Sequence, residues 1–390
     1  MKLTFDAKDN QFRTEVRRFL HESLPTGIAG AEAQGFHLHR HHYQDWHRIL
    51  HEKGWAAPSW PVEYGGTGWS PVQRHIWDIE YGQANAPEIS VIGIGLVGPL
   101  VYTFADEGQK AFYLPKILSG EAYFCQGFSE TNAGSDLAQV RTSAIRDGDS
   151  YVINGHKVWT SHATYADYMI CLCRTDKDAK PQQGLSLFFI PMNAPGVTVR
   201  TIQTIDDCES VCEVYLDNVR VSASERLGEE NKAWTYAKFL LNNERTHNAY
   251  LGLLKRYQRR LEDQVYGDHQ ACVSSHVCNK LAQLCVEIES LEWSVLRVLA
   301  SKVDPHAAAA SSALKVTASD LLLRASDLEL EVLGPASLPR IPYGWSEPLP
   351  ASSALSAPGK VPQYMYWRAS SIFGGSNDIQ RSIIWNTLYR

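Results

Sequence analysis

The stretch 123–161, YFCQGFSETNAGSDLAQVRTSAIRDGDSYVINGHKVWTS, decides which fold this chain of 390 residues adopts. Its first third predicts a strand end, followed by a turn of small and polar residues over 131–136. Such a turn lets backbone N–H groups and the hydroxyls of Ser129 and Ser135 approach a polar ligand closely. The segment therefore has the composition of a ligand-binding loop.

The end of the same stretch offers an aromatic surface. Residues 151–159 have the pattern of a strand, an Asn–Gly turn and a second strand. That hairpin would present Trp159 beside the hydroxyls of Thr160 and Ser161. A loop that binds hydrogen-bond acceptors, together with an aromatic wall, suits a flat heteroaromatic cofactor.

Two more motifs lie far away in the chain. Residues 54–68 read GWAAPSWPVEYGGTG, and residues 373–381 read FGGSNDIQR. Together with GFSETNAGSD and NGHKVWTS, they resemble the signatures of the acyl-CoA dehydrogenase family of flavoproteins, in the same order. The resemblance covers nearly the whole chain, and CQGFSE with FGGSNDIQR is similar to a bacterial subgroup acting on steroid side-chain and cyclic acyl-CoA thioesters.

This resemblance implies an α+β fold with an N-terminal helical domain, a central antiparallel β-barrel-like domain and a C-terminal four-helix bundle. The sequence pattern agrees, because helical spacing gives way to strand spacing and then returns. We expect domains at 1–119, 120–226 and 227–390, with long helices over 233–262, 274–301 and 306–333. The stretch 334–362 is rich in Pro, Ser and Gly and predicts a loop.

The resemblance also implies FAD as cofactor and assigns residues to it. Gln126, Phe128, Ser129 and Ser135 fall at positions that contact the flavin ring and phosphates; Trp159 and Ser161 flank the isoalloxazine; Ser376 and Asp378 line the adenosine part. Two assignments keep simpler alternatives at this stage. Ser135 could only cap its turn, and Trp159 could be an ordinary core residue.

The implied reaction removes two hydrogens from an acyl-CoA thioester. A carboxylate takes the α proton while the β hydrogen leaves as hydride to flavin N5. Many members carry the base in the C-terminal motif, at the position of Gly374, which cannot accept a proton. Others carry it in a Glu–Arg pair on a bundle helix, so Glu244 is the expected base. Arg245, Phe373 and Gly374 are expected to line the substrate, and the acyl group is expected to be bulky, branched or cyclic.

Three departures from the family pattern keep other functions open. Thr131 replaces the usual Pro, 333–335 read LGP where many members have a Gly–Gly motif, and an Arg-x-x-Phe motif is not evident around 255–280. The alternatives are a nitroalkane oxidase or flavin-dependent hydroxylase of the same fold, and a non-catalytic partner subunit of a heteromeric dehydrogenase. The resemblance implies an electron-transfer flavoprotein or similar acceptor, in a homotetramer or an α2β2 heterotetramer.

Composition excludes several other classes. A net charge of −6 and an acidic pI near 6.2 argue against nucleic-acid binding, including that of a DNA-associated relative. No apolar run approaches the roughly 18 residues of a membrane span. The eight cysteines are scattered and favour reduced thiols, hence a cytoplasmic location. The histidines of 37–51 lack neighbouring carboxylate or thiol partners in the sequence, so we expect a solvated helix face and no metal site.

Overall fold

A computed structural model describes residues 5–243, 249–267, 274–300, 306–338 and 359–389. Within these ranges there are twelve α-helices: α1 Ala7–Ser23, α2 Thr26–Gln34, α3 Arg40–Lys53, α4 Pro71–Gln83, α5 Gly98–Phe104, α6 Glu107–Ser119, α7 Ala233–Asn243, α8 Leu251–Tyr266, α9 Ser275–Ala300, α10 Ala307–Leu333, α11 Lys360–Trp367 and α12 Asn377–Tyr389. A π-helical segment, Val91–Val97, runs directly into α5. None of the helices in the described ranges is long and apolar enough to cross a membrane.

Side-chain caps fix where several N-terminal helices begin. The Asp6 carboxylate accepts from the backbone N–H of Asp9 at the start of α1, at 2.9 Å. Ser70 and Gln73 form a reciprocal capping box at the start of α4, where Pro occupies the first helical position. Because these caps satisfy N–H groups that have no intrahelical partner, the boundaries follow from local sequence.

The central region is one eight-stranded sheet. Its strands are β1 Phe124–Gly127, β2 Ser143–Asp147, β3 Ser150–Ser161, β4 Tyr168–Arg174, β5 Leu185–Pro191, β6 Val197–Ile202, β7 Val211–Ser222 and β8 Arg226–Leu227. The order is β6-β7-β3-β2-β4-β5-β8, and β1 pairs with β4 off this path. The pairs β1–β4 and β2–β4 are parallel, and the path is open.

The predicted succession of a helical, a β and a second helical region is thus confirmed, with two corrections to the predicted central domain. The sheet is mixed and open where an antiparallel, barrel-like domain was expected, because strand periodicity is the same for both pairing directions and does not reveal closure. The predicted turn at Asn154–Gly155 is also wrong. Strand β3 runs straight through it, since both halves pair with the 12-residue β7 across a bulge between Ile153 and Gly155. The tight turn lies instead between β2 and β3, where Gly148 has φ = 60°.

The sheet is buried on both faces, so it holds two separate cores. Ile170 and Leu172 of β4 face a core shared with the N-terminal helices and α7, while Cys171 and Cys173 face a second core inside the β region. Both thiols therefore lie on one face, as expected for residues i and i+2 of a strand. All seven described cysteines are free.

The C-terminal region is helical, as predicted, with α8, α9 and α10 packed pairwise and α11 and α12 packed on α10. The segments 274–301 and 306–333 correspond closely to α9 and α10. The continuous helix expected over 233–262 is wrong, because Tyr250 has a left-handed backbone (φ = 46°) directly before α8. The domain limits 1–119, 120–226 and 227–390 stay a prediction.

A buried carboxylate ties the N-terminal helices to the bundle. Glu292 of α9 lies 3.0 Å from the His75 imidazole of α4 and 2.7 Å from the Lys255 ammonium of α8. Burial alone would raise the pKa of Glu292, but the hydrogen bonds and charges of His75 and Lys255 outweigh it and lower the pKa from 4.5 to about 2. The folded state therefore holds this carboxylate ionised far more firmly than the unfolded chain does.

The contribution of Glu292 to the free energy of unfolding should be lost in acid. Because the folded-state pKa is depressed, the stabilisation is complete above about pH 4.5 and is lost as the pH falls toward 2. In Glu292→Gln, the free energy of unfolding should fall less steeply than in wild type between these values, as measured by urea denaturation at a series of pH values. Glu331→Gln, which removes an exposed ion pair with Lys280, should leave the steepness unchanged. An unchanged slope in Glu292→Gln would contradict the assignment.

Candidate active site

One buried ammonium group links the turn that follows β1 to the strand that carries Trp159. Lys157 of β3 is completely buried and donates to the Glu130 carboxylate at 2.8 Å, to the Leu172 carbonyl at 2.7 Å and to the Phe128 carbonyl at 3.3 Å. The three acceptors come from the turn after β1 and from β4. An ammonium has three donors, and each finds an acceptor here, which is the condition for burying it.

Glu130 fixes the other side of the turn. Its carboxylate also accepts from the backbone N–H groups of Arg141 at 2.7 Å and Thr142 at 2.9 Å. Burial tends to raise the pKa of Glu130, but the Lys157 charge and these hydrogen bonds bring it below its usual value. The carboxylate is thus held as an anion that closes the loop 131–140 at both ends.

Trp159 is exposed on a strained backbone. Its φ is 57°, and the β3–β7 register shifts between Lys157 and Thr160, so it occupies a β-bulge. Its side chain is 62% exposed. A bulge can re-aim a side chain, and a left-handed backbone costs a non-glycine residue about 1–2 kcal/mol. The exposure rules out an ordinary core tryptophan and leaves a large open aromatic face.

The other predicted residues of this group lie on two segments, the end of β1 with the turn that follows it and the end of β3. The backbone N–H of Val158 donates to the Ser129 carbonyl at 2.9 Å, which places the turn and the bulge side by side. Ser135 and Ser161 are exposed, whereas Gln126 and Phe128 are partly buried at the end of β1. The structure therefore brings together the two segments that carry the six predicted β-region residues. We define this group as the platform: Gln126, Phe128, Ser129, Ser135, Trp159 and Ser161.

The C-terminal motif is held by the bundle. Asn377 is buried, and its side chain bonds to Lys315 at 2.9 Å and to Ser319 at 3.0 Å on α10. The Ser376 hydroxyl accepts from the backbone N–H of Ile379 at 3.3 Å, while Asp378 is 92% exposed. Ser376 thus caps α12 in this chain, and the Asp378 carboxylate is open to solvent.

Gly374 and Gly375 form a loop that only glycine fits well. Their φ angles are 66° and 84°, and a Cβ on Gly375 would lie 2.6 Å from the Gln380 amide nitrogen, which donates to both glycine carbonyls. Phe373 packs near Tyr366, with ring centroids 6.1 Å apart. Glu244 and Arg245, the predicted base and its neighbour, lie outside the described residues.

The chain as a whole matches known family models. The acyl-CoA dehydrogenase N-terminal, middle and C-terminal domain models match residues 6–121, 125–219 and 231–389. The chain therefore belongs to the acyl-CoA dehydrogenase family, and it is an oxidoreductase of that class.

Individual relatives agree along nearly the full length. Acyl-CoA dehydrogenase FadE26 of Mycobacterium tuberculosis is 32% identical over 98% of this chain and 97% of its own. Among solved structures, the Tcur3481-Tcur3483 steroid ACAD superposes with a TM-score of 0.84 at 29% identity, over 99% of this chain and 98% of that one. The ChsE4-ChsE5 complex from Mycobacterium tuberculosis gives 0.83 at 30% identity, with the same coverage. The predicted resemblance to the steroid subgroup is confirmed.

FAD is the cofactor of this family, and the platform fits it. An exposed indole on a strained bulge is unfavourable in water unless a flat partner covers it. The exposed hydroxyls of Ser135 and Ser161 lie on the segments that flank the indole, where they can bond to polar groups of such a partner. The assignment of each residue to a part of FAD stays a prediction.

Sequence reasoning missed two features. A cleft of about 730 Å³ lies where α5 and α6 meet the start of α7, and Asp106, Arg226, Glu229 and Lys232 are among its lining residues. None of the predicted site residues that the structure describes lines it. The second feature is a contact between His37 and Cys208, two residues from different domains of the family fold. The expectation that the histidines lack thiol and carboxylate partners is thus wrong for His37, because these partners are distant in sequence.

Removal of the buried Lys157 ammonium should destabilise the segments that carry the platform. Lys157→Met leaves the Glu130 carboxylate buried without its ion pair, so the free energy of unfolding should fall by about 3–5 kcal/mol. The double variant Lys157→Met/Glu130→Gln should recover part of the loss. Arg220→Met, which breaks the exposed pair with Asp147, should cost no more than about 1 kcal/mol in the same urea titration. Equal costs for Lys157→Met and Arg220→Met would rule out the supporting role.

The Trp159→Gly variant tests whether Trp159 forms part of a binding surface or belongs to the core. Glycine tolerates the left-handed backbone, so the apoprotein's free energy of unfolding should change by less than about 1 kcal/mol. A buried tryptophan would instead cost about 3–5 kcal/mol on truncation. Loss of stacking, worth about 1–3 kcal/mol, should raise the FAD dissociation constant roughly 5- to 150-fold.

The matched control for this variant is Ile145→Ala, which truncates an apolar side chain 65% exposed on β2 and should leave FAD affinity unchanged. FAD titration followed by flavin fluorescence measures both variants. An unchanged FAD affinity in Trp159→Gly would remove Trp159 from the site.

Proposed function

We propose that this enzyme dehydrogenates a bulky, branched or cyclic acyl-CoA to the 2-enoyl-CoA, with Glu244 as the base that takes the α proton. The observation that carries the proposal is at position 374. The loop where a carboxylate would otherwise lie contains Gly374 and Gly375, with left-handed backbones and exposed to solvent. No carboxylate in this loop can serve as the base, and the missing side chain leaves room beside Phe373.

Helix α7 supports Glu244 as the base. The described part of this helix reaches Asn243, the residue immediately before Glu244 in the sequence. Its first turns pack into the core shared with the sheet, where Tyr236 and Phe239 lie 4.3 and 5.0 Å from Phe104 between ring centroids. A glutamate that follows such an apolar segment can enter a cleft with little water. Desolvation there raises the pKa of a carboxyl group and makes it a stronger base.

Other residues of this chain would orient the cofactor and the substrate. When bound, FAD supplies the acceptor for the hydride. The platform would orient the flavin through the Trp159 ring and the neighbouring hydroxyls. Phe373 and Tyr366 form an aromatic wall near the loop that contains Gly374 and Gly375. Because the thioester α proton is weakly acidic, a base needs to be held within about 2.6–3.2 Å, and hydrogen bonds to the thioester oxygen stabilise the developing charge.

We also propose that the chain works in an oligomer with a second, related chain and passes electrons to an electron-transfer flavoprotein or similar acceptor in the cytoplasm. One of the similar solved structures is a complex of ChsE4 with ChsE5. In this chain, Pro335 follows Gly334 where many members have a second glycine, and the Arg-x-x-Phe motif is not evident. Both departures support an FAD site completed by a different neighbour; a homotetramer is the alternative.

Glu244→Gln tests the base. The amide keeps the shape of the side chain but accepts no proton, so flavin reduction by acyl-CoA should slow about a hundredfold or more. FAD content and acyl-CoA affinity should stay within a factor of a few. Glu331→Gln, on α10, is the matched control and should reduce at the wild-type rate. Anaerobic stopped-flow absorbance measures both, and a wild-type rate in Glu244→Gln would place the base elsewhere.

The width of the acyl site is tested separately by substrate comparison. If Gly374 makes room for a bulky group, kcat/KM should be at least about tenfold higher for a steroid side-chain or cyclic acyl-CoA than for butyryl- or octanoyl-CoA. Gly374→Ala should lower this ratio of kcat/KM values, because the added methyl group would occupy space beside Phe373. Ala179→Gly, on an exposed loop, should leave the ratio unchanged. A preference for the straight chains would contradict the bulky substrate, yet leave the dehydrogenase reaction intact.

A further inference from the structure

Three side chains with metal-binding atoms meet where the N-terminal helices contact the sheet. His37 lies in the loop between α2 and α3, while Asp206 and Cys208 lie in the loop between β6 and β7. His37 Nε2 contacts Cys208 Sγ across 171 positions of sequence. Among the described residues, this is the one group of three such side chains close enough to share an ion.

Their spacing is close to that of a metal shell. The imidazole nitrogen, the carboxylate oxygen and the thiol sulfur all lie within 4.8 Å of one another. With Zn–N and Zn–O near 2.0 Å and Zn–S near 2.3 Å, tetrahedral ligand atoms are roughly 3.3–3.8 Å apart. To complete the shell, side-chain rotations would separate His37 Nε2 from Cys208 Sγ, which contact each other directly, and would move the more distant atoms together by about 1 Å.

The chemical state of each ligand also suits a cation. Asp206 and Cys208 are only 4% and 2% exposed. The His37 imidazole can coordinate through Nε2, the atom that contacts Cys208. A carboxylate and a thiol buried side by side gain most from a positive ion between them.

The loop is shaped to hold these two ligands. The backbone N–H of Thr204 donates to the Cys208 carbonyl at 3.0 Å, and that of Asp207 donates to the Thr204 carbonyl at 2.9 Å. The Thr204 hydroxyl contacts the Asp206 carboxylate. Such outer hydrogen bonds orient ligands and tune their affinity.

We propose that His37, Asp206 and Cys208 bind a divalent transition metal, best matched by Zn²⁺, that links the α2–α3 loop to the β6–β7 loop. On binding, Cys208 releases its proton to solvent and coordinates as thiolate. Three protein ligands leave a fourth position, which water reaches because His37 is only partly buried. The site shares no residue with the platform, and the proposal does not depend on the proposed dehydrogenation.

The test is zinc binding to the FAD-loaded full chain after dialysis against a chelator. Isothermal titration should give one tight Zn²⁺ per chain, with about one proton released, obtained from buffers of different ionisation enthalpy. Zinc X-ray absorption should show a single sulfur at about 2.3 Å with nitrogen and oxygen ligands. Cys208→Ser and His37→Gln should each weaken binding at least about a hundredfold, beyond the typical loss for an outer-shell change.

Matched controls separate this site from the rest of the chain. Cys285→Ser removes another thiol that lies 3.4 Å from a carboxylate, that of Glu262, and His42→Gln removes a histidine of the same rich stretch. Both should retain wild-type affinity. Zinc should also raise the melting temperature of wild type and of both controls, but not of Cys208→Ser. Absence of stoichiometric binding, a zinc shell without sulfur, or equal affinity in Cys208→Ser and the controls would each overturn the proposal.

Discussion

A buried ammonium group is the constraint on which the site depends. Taking Lys157 out of water is unfavourable unless each of its donors finds an acceptor, and its acceptors come from the turn after β1 and from β4. The chain can satisfy the ammonium only if these segments lie where the structure has them. Glu130 then extends the constraint to Arg141 and Thr142. One interaction thereby closes the loop that carries Ser135 and sets the start of the bulge that carries Trp159.

The contacts of Lys157 help to explain how the strained backbone of Trp159 is maintained. A large side chain on a left-handed backbone persists only where its surroundings over-determine the conformation. Lys157 lies two residues before it in the same strand, and Thr160, directly after it, is buried in the sheet. The β region thus presents the proposed flavin surface, whereas the proposed base, Glu244, belongs to the part of the chain that matches the C-terminal domain model. If the proposed assignments hold, the acyl site can vary at position 374 without disturbing the platform.

The sequence was sufficient for the family, because its motifs resemble the family signatures. It was also sufficient for the order of helical and strand regions and for helices α9 and α10, because periodic apolar spacing indicates these features. It failed where distant contacts decide. The Asn154–Gly155 pair has turn chemistry, yet pairing with the long strand β7 keeps it in a strand. The break before α8 at Tyr250 carries no proline or glycine signal. His37 gained partners 169 and 171 positions away, which no local pattern reports. The platform residues could be named because the motifs fix them, but their exposure and strain could not.

The central claim is that the Lys157–Glu130 pair positions Trp159 for the flavin, and a double-mutant cycle on FAD affinity tests it most directly. The FAD dissociation constant would be measured for wild type, Lys157→Met, Trp159→Gly and the double variant, each purified in its native oligomer and confirmed to be folded. If the pair acts through Trp159, both single variants weaken binding, and Trp159→Gly adds little once Lys157 is gone, so the coupling exceeds about 0.5 kcal/mol. Additive losses, within about 0.3 kcal/mol, would show that the ion pair and the indole act independently and would contradict the account.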